Sequence, residues 1–271
     1  MIADSQIESW LQEDLGHHDV TNDVPGTTTG RLLAKESGVV AGLDAASAVF
    51  EYLGLDVRMP VDVGDQIDSR TVVLEVQGRA RDVLRGERVA VNIAGHASGI
   101  ATRTRTAVES AREVDDTVRI ACTRKTTPGL RGIEKRAVVA GGGDTHRLDL
   151  SHMVMVKDNH VAELGLEDAI HRFRERASFS TKVEVEVETP EDALRAATAG
   201  ADVILLDNMS PAETKQAVES LTGLDTEVLT EASGGITIET LPEYAGTGVD
   251  IISLGSLTHS APALDYSFRT V

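Results

Sequence analysis

The N-terminal part of the chain alternates between helical and strand-like spacing of its apolar positions. Residues 5–15 have the three-to-four spacing of an amphipathic helix, and residues 44–53 have it again. Residues 31–42 predict one or two strands, and the alternating runs VDVGDQI and TVVLEVQGRA predict further short strands. The pattern therefore predicts a small antiparallel sheet with helices against it.

A long helical pattern follows, from residue 80 to about residue 114. Its apolar residues keep broadly helical spacing, although Gly95 and Gly99 interrupt it. A helix of this length, between two regions of different pattern, predicts a bridge between two domains.

The second half of the chain changes to six short β-rich runs separated mostly by segments of helical periodicity. Several parallel βα units in succession predict a closed or nearly closed α/β barrel. The six runs are VRIACT (118–123), MVMVK (153–157), KVEVEV (182–187), VILLD (203–207), EVLTEA (227–232) and IISLG (251–255).

The chain is acidic overall but contains one basic segment. The 271 residues carry a net charge of -18, whereas residues 119–157 hold eight Lys or Arg against three acids. Such a segment predicts an anion site, and the overall acidity argues against nucleic acid as a partner. Six lysines among 26 basic residues are typical of halophilic proteins. One cysteine, no leader pattern and no long apolar run predict a cytoplasmic protein that does not enter a membrane.

Charged residues and glycines stand at the carboxyl ends of the six runs, where the active sites of α/β barrels form. We expect a cationic wall for carboxylates, with Arg forks as its strongest donors. Glycine turns there suit a phosphate, and two acids on neighbouring strands suit either Mg²⁺ or ribose hydroxyls. The wall comprises Arg124, Lys125, His146, Arg147 and Lys157; the acids are Glu186 and Asp207; the turns are Ser233, Gly234 and Gly235, then Gly255 and Ser256.

The face of the VEVEVE run allows two interpretations. Glu184, Glu186 and Glu188 share one side of a strand, which is costly inside a barrel unless a cation or water lies there. The same run also fits a solvated edge strand.

Longer motifs make the chain resemble the quinolinate phosphoribosyltransferase family over nearly its whole length. They are EDLGHHDVT, ERVAVNIAGHASGIAT, TRKTTPGLRGIEKRAVVAGGG, HRLDL, KDNH, VEVEVE, ILLDNMSP, EASGGIT and LGSLTHSAPALDYSF. The resemblance implies an N-terminal α/β sandwich over residues 1–105 and a six- to seven-stranded α/β barrel over 106–260, with the tail 261–271 returning to the first domain.

The resemblance also implies the chemistry: phosphoribosyl transfer from phosphoribosyl pyrophosphate to quinolinate, with Mg²⁺, CO₂ release and formation of nicotinate mononucleotide. It implies a homodimer in which Arg88 reaches the partner's site. Quinolinate would contact Arg88, Thr123, Arg124, Lys125, His146, Arg147 and Lys157. Phosphoribosyl pyrophosphate would contact Lys125, Lys157, Glu186, Asp207, Ser233, Gly234, Gly235, Gly255 and Ser256. Of these, Lys125, Lys157, Glu186 and Asp207 would be catalytic. Glu186 and Asp207 would also hold the metal.

Two residues depart from the family pattern beside ligand positions. Cys122 stands where Asp is common, and Thr145 stands where Asn commonly precedes His-Arg. A related group linked to molybdenum uptake shares much of the pattern and is the alternative, with a different acceptor. A Schiff-base aldolase using Lys157 and a non-catalytic phosphate-binding module are further alternatives.

Overall fold

A computed structural model describes residues 2–224 and 227–271, which form two compact units. The first unit contains the residues up to Arg105, Thr127–Gly142 and Ser260–Val271; the second contains Thr106–Thr126 and Gly143–His259. Residues 127–142, which the sequence places with the barrel, therefore cluster with the first unit.

The first unit contains the longest helix and three helices beside it, with two antiparallel sheets. Helix α3 begins in this unit and ends in the second. The elements of the first unit are α1 (Asp4–Leu15), β1 (Thr27–Ala34), β2 (Gly38–Val39), α2 (Leu43–Tyr52), β3 (Asp56–Arg58), β4 (Gln66–Ile67), β5 (Val72–Arg79), α3 (Ala80–Arg112), α4 (Arg131–Ala140) and β12 (Tyr266–Thr270).

The second unit alternates strands and helices. Its elements are β6 (Arg119–Ala121), β7 (Val154–Val156), α5 (Asp158–Leu164), α6 (Leu166–Arg176), β8 (Val183–Val187), α7 (Pro190–Thr198), β9 (Val203–Asp207), α8 (Pro211–Leu221), β10 (Leu229–Ser233), α9 (Leu241–Ala245), β11 (Ile251–Ser253) and α10 (Ser256–His259). No helix in the described ranges has the length and apolar character needed to span a bilayer.

The sheet of the first unit has the order β12-β1-β5-β3, and its pairs are antiparallel. Leu32 pairs with Phe268 on one side and Leu74 on the other, which places apolar side chains on one face. The ring of Phe268 stacks on Phe50 of α2 at 5.9 Å between centroids. Strand β1 starts four residues before the predicted position, because Thr27 and its two Thr neighbours carry no apolar signal.

Glycines of α3 allow the C-terminal segment to lie directly against the helix. The amide of Leu264 donates to the carbonyl oxygen of Gly95 at 2.9 Å. A side chain at Gly99 would collide with the backbone of Pro262. The two residues that interrupt the helical pattern in the sequence therefore mark a close backbone contact.

Replacing Gly99 with Ala should destabilise the protein by about 2 kcal/mol, in the range of overpacked interiors, because Pro262 must move away. The denaturant midpoint measures this loss. Gly132→Ala on α4 is the matched control, since among the described residues an added Cβ there meets only the end of the Arg136 side chain, at 3.6 Å. A Gly99 variant as stable as the Gly132 variant contradicts the prediction.

The sheet of the second unit is parallel, with the order β6-β11-β10-β9-β8-β7. Among the described strands, four of the five neighbouring pairs follow one another in the chain, and the fifth joins the first strand β6 to the last strand β11, as in an α/β barrel; the sheet ends at β6 and β7, with a break between them. Val183 and Val185 belong to the apolar layer packed with the helices, so the intervening Glu184 points to the other face.

The sheet is strongly curved about that inner face. Ligand atoms of Glu184 on β8 and Glu231 on β10 lie within 4.8 Å of each other and of His146, although β9 separates the two strands. At the break, Asp144 forms a parallel bridge with Ala121 of β6. The sequence therefore predicted the barrel class correctly, and the structure opens the barrel between its first two strands.

Candidate active site

The loop after β6 carries the first cations of the predicted wall. The amide of Lys125 donates to Thr123 Oγ1 at 3.1 Å, and its carbonyl oxygen accepts from Thr258 Oγ1 at 2.7 Å. The side-chain stem of Lys125 lies over Gly255, where an added Cβ would be 2.9 Å from Lys125 Cδ. The loops after β6 and β11 are thus held together, and Gly255 leaves the space that Lys125 occupies.

Arg124 and Arg147 lie close enough to affect each other electrostatically. Arg147 is only 8% exposed, and its Nη2 donates to Met155 Sδ at 3.4 Å. Burial lowers the pKa of Arg147, as does the charge of Arg124, whereas Glu184 and Glu186 raise it. The buried Nε of Arg124 has no hydrogen-bond partner among the described residues. Two adjacent guanidinium groups favour a ligand with more than one negative charge.

His146 lies at the break in the barrel, in a left-handed conformation with φ of 50°. Its backbone amide donates to Asp144 Oδ1 at 2.7 Å, which supports this turn. The ring Nε2 lies 2.9 Å from Glu231 Oε2 and 3.3 Å from Glu184 Oε1. Burial lowers the pKa of His146, but hydrogen bonds to both acids outweigh it and raise the pKa to about 10.

Lys157 and Glu186 form an ion pair at the carboxyl ends of β7 and β8. The lysine side chain is 43% exposed and the carboxylate 16% exposed, so the pair lies at the rim rather than in the core. A Schiff-base lysine needs a free amine to attack a carbonyl, whereas the Lys157 amine is held by Glu186. This contact disfavours the aldolase interpretation of Lys157.

Asp207 ends β9, where it pairs in register with Ser233 of β10. Its Oδ2 accepts a hydrogen bond from Asn208 Nδ2 at 2.6 Å. With Glu186 on the neighbouring strand, it offers carboxylate oxygens that are partly accessible. Hard oxygen ligands of this kind suit Mg²⁺, which usually keeps several of its waters.

The turn after β10 consists of two glycines in the left-handed region, Gly234 with φ of 95° and Gly235 with φ of 64°. A side chain at Gly234 would collide with Asn208, whose amide donates to the carbonyl oxygen of Ser233 at 2.9 Å. Ser253 Oγ donates to Ser233 Oγ at 3.0 Å, which ties β11 to this turn. Successive left-handed residues turn backbone N–H groups towards one point, as phosphate sites require.

The helices that follow the two glycine turns are short: α9 begins only at Leu241, and α10, which starts directly at Ser256, has four residues. Short helices contribute little dipole, so the backbone amides of the turns are the candidate phosphate donors. The buried hydroxyl of Ser256 has no partner within the described chain.

Cys122 and Thr145, the two residues that depart from the family pattern, are in contact. The buried Cys122 donates its amide to the carbonyl oxygen of Asp144 at 3.1 Å and its thiol to that of Thr145 at 3.5 Å. They support the segment that leads to His146. Because the thiol is buried and bonded, Cys122 belongs to the packing of the barrel.

Sequence reasoning missed two residues beside the site. Glu231 contacts His146, and Asn208 supports both Asp207 and the turn after β10. Because side chains alternate along a strand, Glu231 lies on the same face of the sheet as Ser233, so the sequence did contain a signal for Glu231. Asn208 lies in the ILLDNMSP motif but carries no separate signal. Arg88 belongs to the first unit, where its side chain is 60% exposed and Nη2 lies 3.9 Å from Glu87 Oε1.

A cavity of about 540 Å³ lies at the opposite, amino ends of the parallel strands. The beginnings of the strands line it, with His146 and Glu231 among its lining residues. Of the predicted site residues, His146 lines this cavity, whereas the cations, acids and glycines at the carboxyl ends are not among its lining residues.

The curved parallel sheet and the groups at its carboxyl ends define the class: an α/β barrel whose cation-rich rim is the candidate active site. The family models for "Quinolinate phosphoribosyl transferase, N-terminal domain" and "C-terminal domain" match residues 19–98 and 100–269. The chain belongs to the quinolinate phosphoribosyl transferase family, and it is a phosphoribosyltransferase enzyme.

Relatives and solved structures agree with this family over almost the full length. "Probable nicotinate-nucleotide pyrophosphorylase [carboxylating]" of Methanothermobacter thermautotrophicus is 45% identical and covers 97% of each chain. The human "Nicotinate-nucleotide pyrophosphorylase [carboxylating]" is 43% identical, over 97% of this chain and 90% of the relative.

Among solved structures, NadC from Streptococcus pyogenes has a TM-score of 0.91 at 41% identity, covering 98% of this chain and 95% of that one. The nicotinate-nucleotide pyrophosphorylase from Francisella tularensis has a TM-score of 0.93 at 28% identity, covering 100% and 98%.

Proposed function

We propose that the protein transfers the phosphoribosyl group of phosphoribosyl pyrophosphate to quinolinate and releases CO₂ and pyrophosphate, giving nicotinate mononucleotide in de novo NAD biosynthesis. One observation supports this most: cations and two carboxylates occupy the carboxyl ends of one parallel sheet, with left-handed glycines beside them. A pyridine dicarboxylate and an activated sugar phosphate together use all of these groups.

In this proposal the cationic wall orients quinolinate. Arg124 and Arg147 face its two carboxylates, and Lys125 and Lys157 add charge at the edge of the rim. The ring nitrogen then attacks C1′ of the ribose while the bond from C1′ to pyrophosphate breaks. Holding both reactants in line supplies much of the rate, and no protein nucleophile is needed.

Glu186 and Asp207 would hold Mg²⁺, whose charge would stabilise the departing pyrophosphate. The partly exposed carboxylates fit such an ion, as described above. The backbone amides of the 233–235 turn and of Gly255 would hold the 5′-phosphate.

Decarboxylation follows from the charge on the alkylated ring. Once N–C1′ is formed, the bond from C2 to the adjacent carboxylate breaks with loss of CO₂, and the positive ring nitrogen stabilises the electron pair left at C2. A proton from solvent then takes up this pair and replaces CO₂ at C2. The protein would contribute by holding the other carboxylate, which keeps the ring in place while CO₂ departs.

The test is incubation with quinolinate, phosphoribosyl pyrophosphate and Mg²⁺, with CO₂ release and nicotinate mononucleotide as readouts. Nicotinate as acceptor runs in parallel, and product from it without CO₂ would reject the carboxylating reaction. The low lysine content leads us to propose a halophilic, cytoplasmic enzyme, so the assay includes both dilute and molar KCl.

We also propose a homodimer in which Arg88 completes the partner's site. The exposed side chain of Arg88 supports this, since it is available to a second chain. Mixing Arg88→Ala protein with Lys157→Ala protein after dissociation should then restore up to about a quarter of the activity, because one hybrid site carries neither change. Exchange without any recovery would contradict a shared site.

A further inference from the structure

On the inner face of the barrel, two buried acids that the proposed reaction does not use directly hold His146, a member of the cationic wall. His146 lies between Glu184 and Glu231, whose side chains are 0% and 1% exposed. Each acid also has a second buried oxygen without a hydrogen bond to any described residue. Two buried carboxylates this close together are stabilised by a cation between them or by a proton on one of them, and burial raises the pKa of Glu184 to about 7.

The contact geometry allows the His146 ring to supply that cation. Its Nε2 serves both acids, at 2.9 and 3.3 Å, while its Nδ1 makes no hydrogen bond within the described chain. A ring protonated on both nitrogens therefore has one N–H committed to the acids and the other available to a ligand. The side chain remains 10% exposed, so a ligand can reach it.

Other charges around the ring come from several elements. Asp144 binds the backbone amide of His146, and Arg147 follows it in the chain. Arg119, His152 and Lys182 line the adjoining cavity. Within the described ranges, Glu184 and Glu231 hydrogen-bond the ring, and both act in the same direction on the pKa of His146, which is raised to about 10 against the opposing effect of burial.

We propose that Glu231 is a positioning residue that keeps His146 oriented and positively charged, so that its free N–H faces a carboxylate of quinolinate. This inference rests on the proposed function for the identity of the ligand. Glu184 shares the task, but it lies two residues from the predicted metal ligand Glu186, so a change there would disturb two features. A change at Glu231, which lies on β10, affects the contact with His146 without disturbing Glu186.

The first measurement follows the charge without any substrate. In protein with ¹³C-labelled histidine, the His146 signal, assigned with His146→Gln, should keep its protonated shift up to about pH 9. In Glu231→Gln it should titrate at lower pH, because one of the two groups that raise the pKa is gone. A His146 signal that titrates near its ordinary pKa of 6.5 in the unchanged protein would overturn the inference.

The second measurement follows the reaction. The charge of a group with a raised pKa is complete at low pH and is lost as the pH rises through that pKa. We expect kcat/KM for quinolinate of Glu231→Gln to fall about tenfold relative to the unchanged protein between about pH 7 and about pH 9, mainly through KM. Glu231→Asp should recover part of it, since it keeps the charge.

Three comparisons separate this role from a structural one. Glu219→Gln, exposed on α8, is the matched control and should behave as the unchanged protein. In a His146→Gln background, Glu231→Gln should cause no further pH-dependent loss, because the charge is already absent. An equal loss in that background would assign Glu231 a structural role and overturn the inference.

The remaining outcomes are also distinguishable. If quinolinate is not a substrate, the proposed function fails while the histidine titration still tests the charge. If quinolinate reacts and Glu231→Gln changes neither profile, the inference alone fails. The same three residues could hold a metal ion. One equivalent of divalent metal in the purified protein, lost in Glu231→Gln, would make the ring a ligand and overturn the inference.

Discussion

Replacing Lys157 with Met should lower kcat/KM for quinolinate by about 10²- to 10³-fold, the range found when one electrostatic donor of an active site is removed. The ammonium contacts Glu186 at the carboxyl ends of β7 and β8. Met keeps most of the apolar stem, so the variant removes charge with little loss of packing. The loss should appear in both kcat and KM, because the cation serves substrate binding and the departing pyrophosphate.

Lys215→Met is the matched control. It makes the same change at an exposed position of α8, away from the strand ends, and should retain full activity. Steady-state rates with each substrate varied separately provide the comparison. If Lys157→Met keeps more than about half of the activity of the control, the rim is not the site of the chemistry.

Replacing Gly234 with Ala should raise KM for phosphoribosyl pyrophosphate by about 100-fold. Its φ of 95° is a region that L side chains rarely adopt, and a Cβ would collide with Asn208. Such strain costs about 1–3 kcal/mol, and relieving it would rotate the amides that we assign to the 5′-phosphate. Because Asn208 also binds Asp207, the change would reach the predicted metal ligand as well.

Gly223→Ala is the control for this prediction, since no atom of the described residues lies within 4 Å of an added Cβ there. It should leave KM and the unfolding midpoint nearly unchanged. Calorimetric titration with inorganic pyrophosphate and ribose 5-phosphate would show which moiety has lost affinity. Unchanged affinity for ribose 5-phosphate in Gly234→Ala would remove the 233–235 turn from the proposed phosphate site.

Local patterns were enough to predict the six parallel strands and the barrel class. The β-rich runs alternate with helical segments, so parallel βα units were the consistent interpretation, and the residue that ends each run follows directly. Lys157, Glu186 and Asp207 were placed at strand ends in this way, and the structure has them there. The N-terminal start of β1 could not be placed, because its threonines have no apolar alternation.

The environment of Glu184 could be decided only from the tertiary structure. From the sequence, the VEVEVE run fitted either a solvated edge or a face with a cation, and Glu184 is in fact fully buried against His146. Glu231 was overlooked because its strand shows one acid among apolar and hydroxyl residues, with no sign of a partner. Its partner comes from a segment 85 residues away in the chain.

The amino-acid sequence by itself determined the family, the parallel barrel, and the cations, acids and glycines at its strand ends, because strand periodicity and βα order are local properties. Only the tertiary structure decided that Cys122 lies against Thr145, that Pro262 lies on Gly99, and that Glu184 and Glu231 enclose His146. These contacts depend on the curvature of the sheet and on close backbone approach, and no spacing along the chain encodes the distance between strands that are not neighbours.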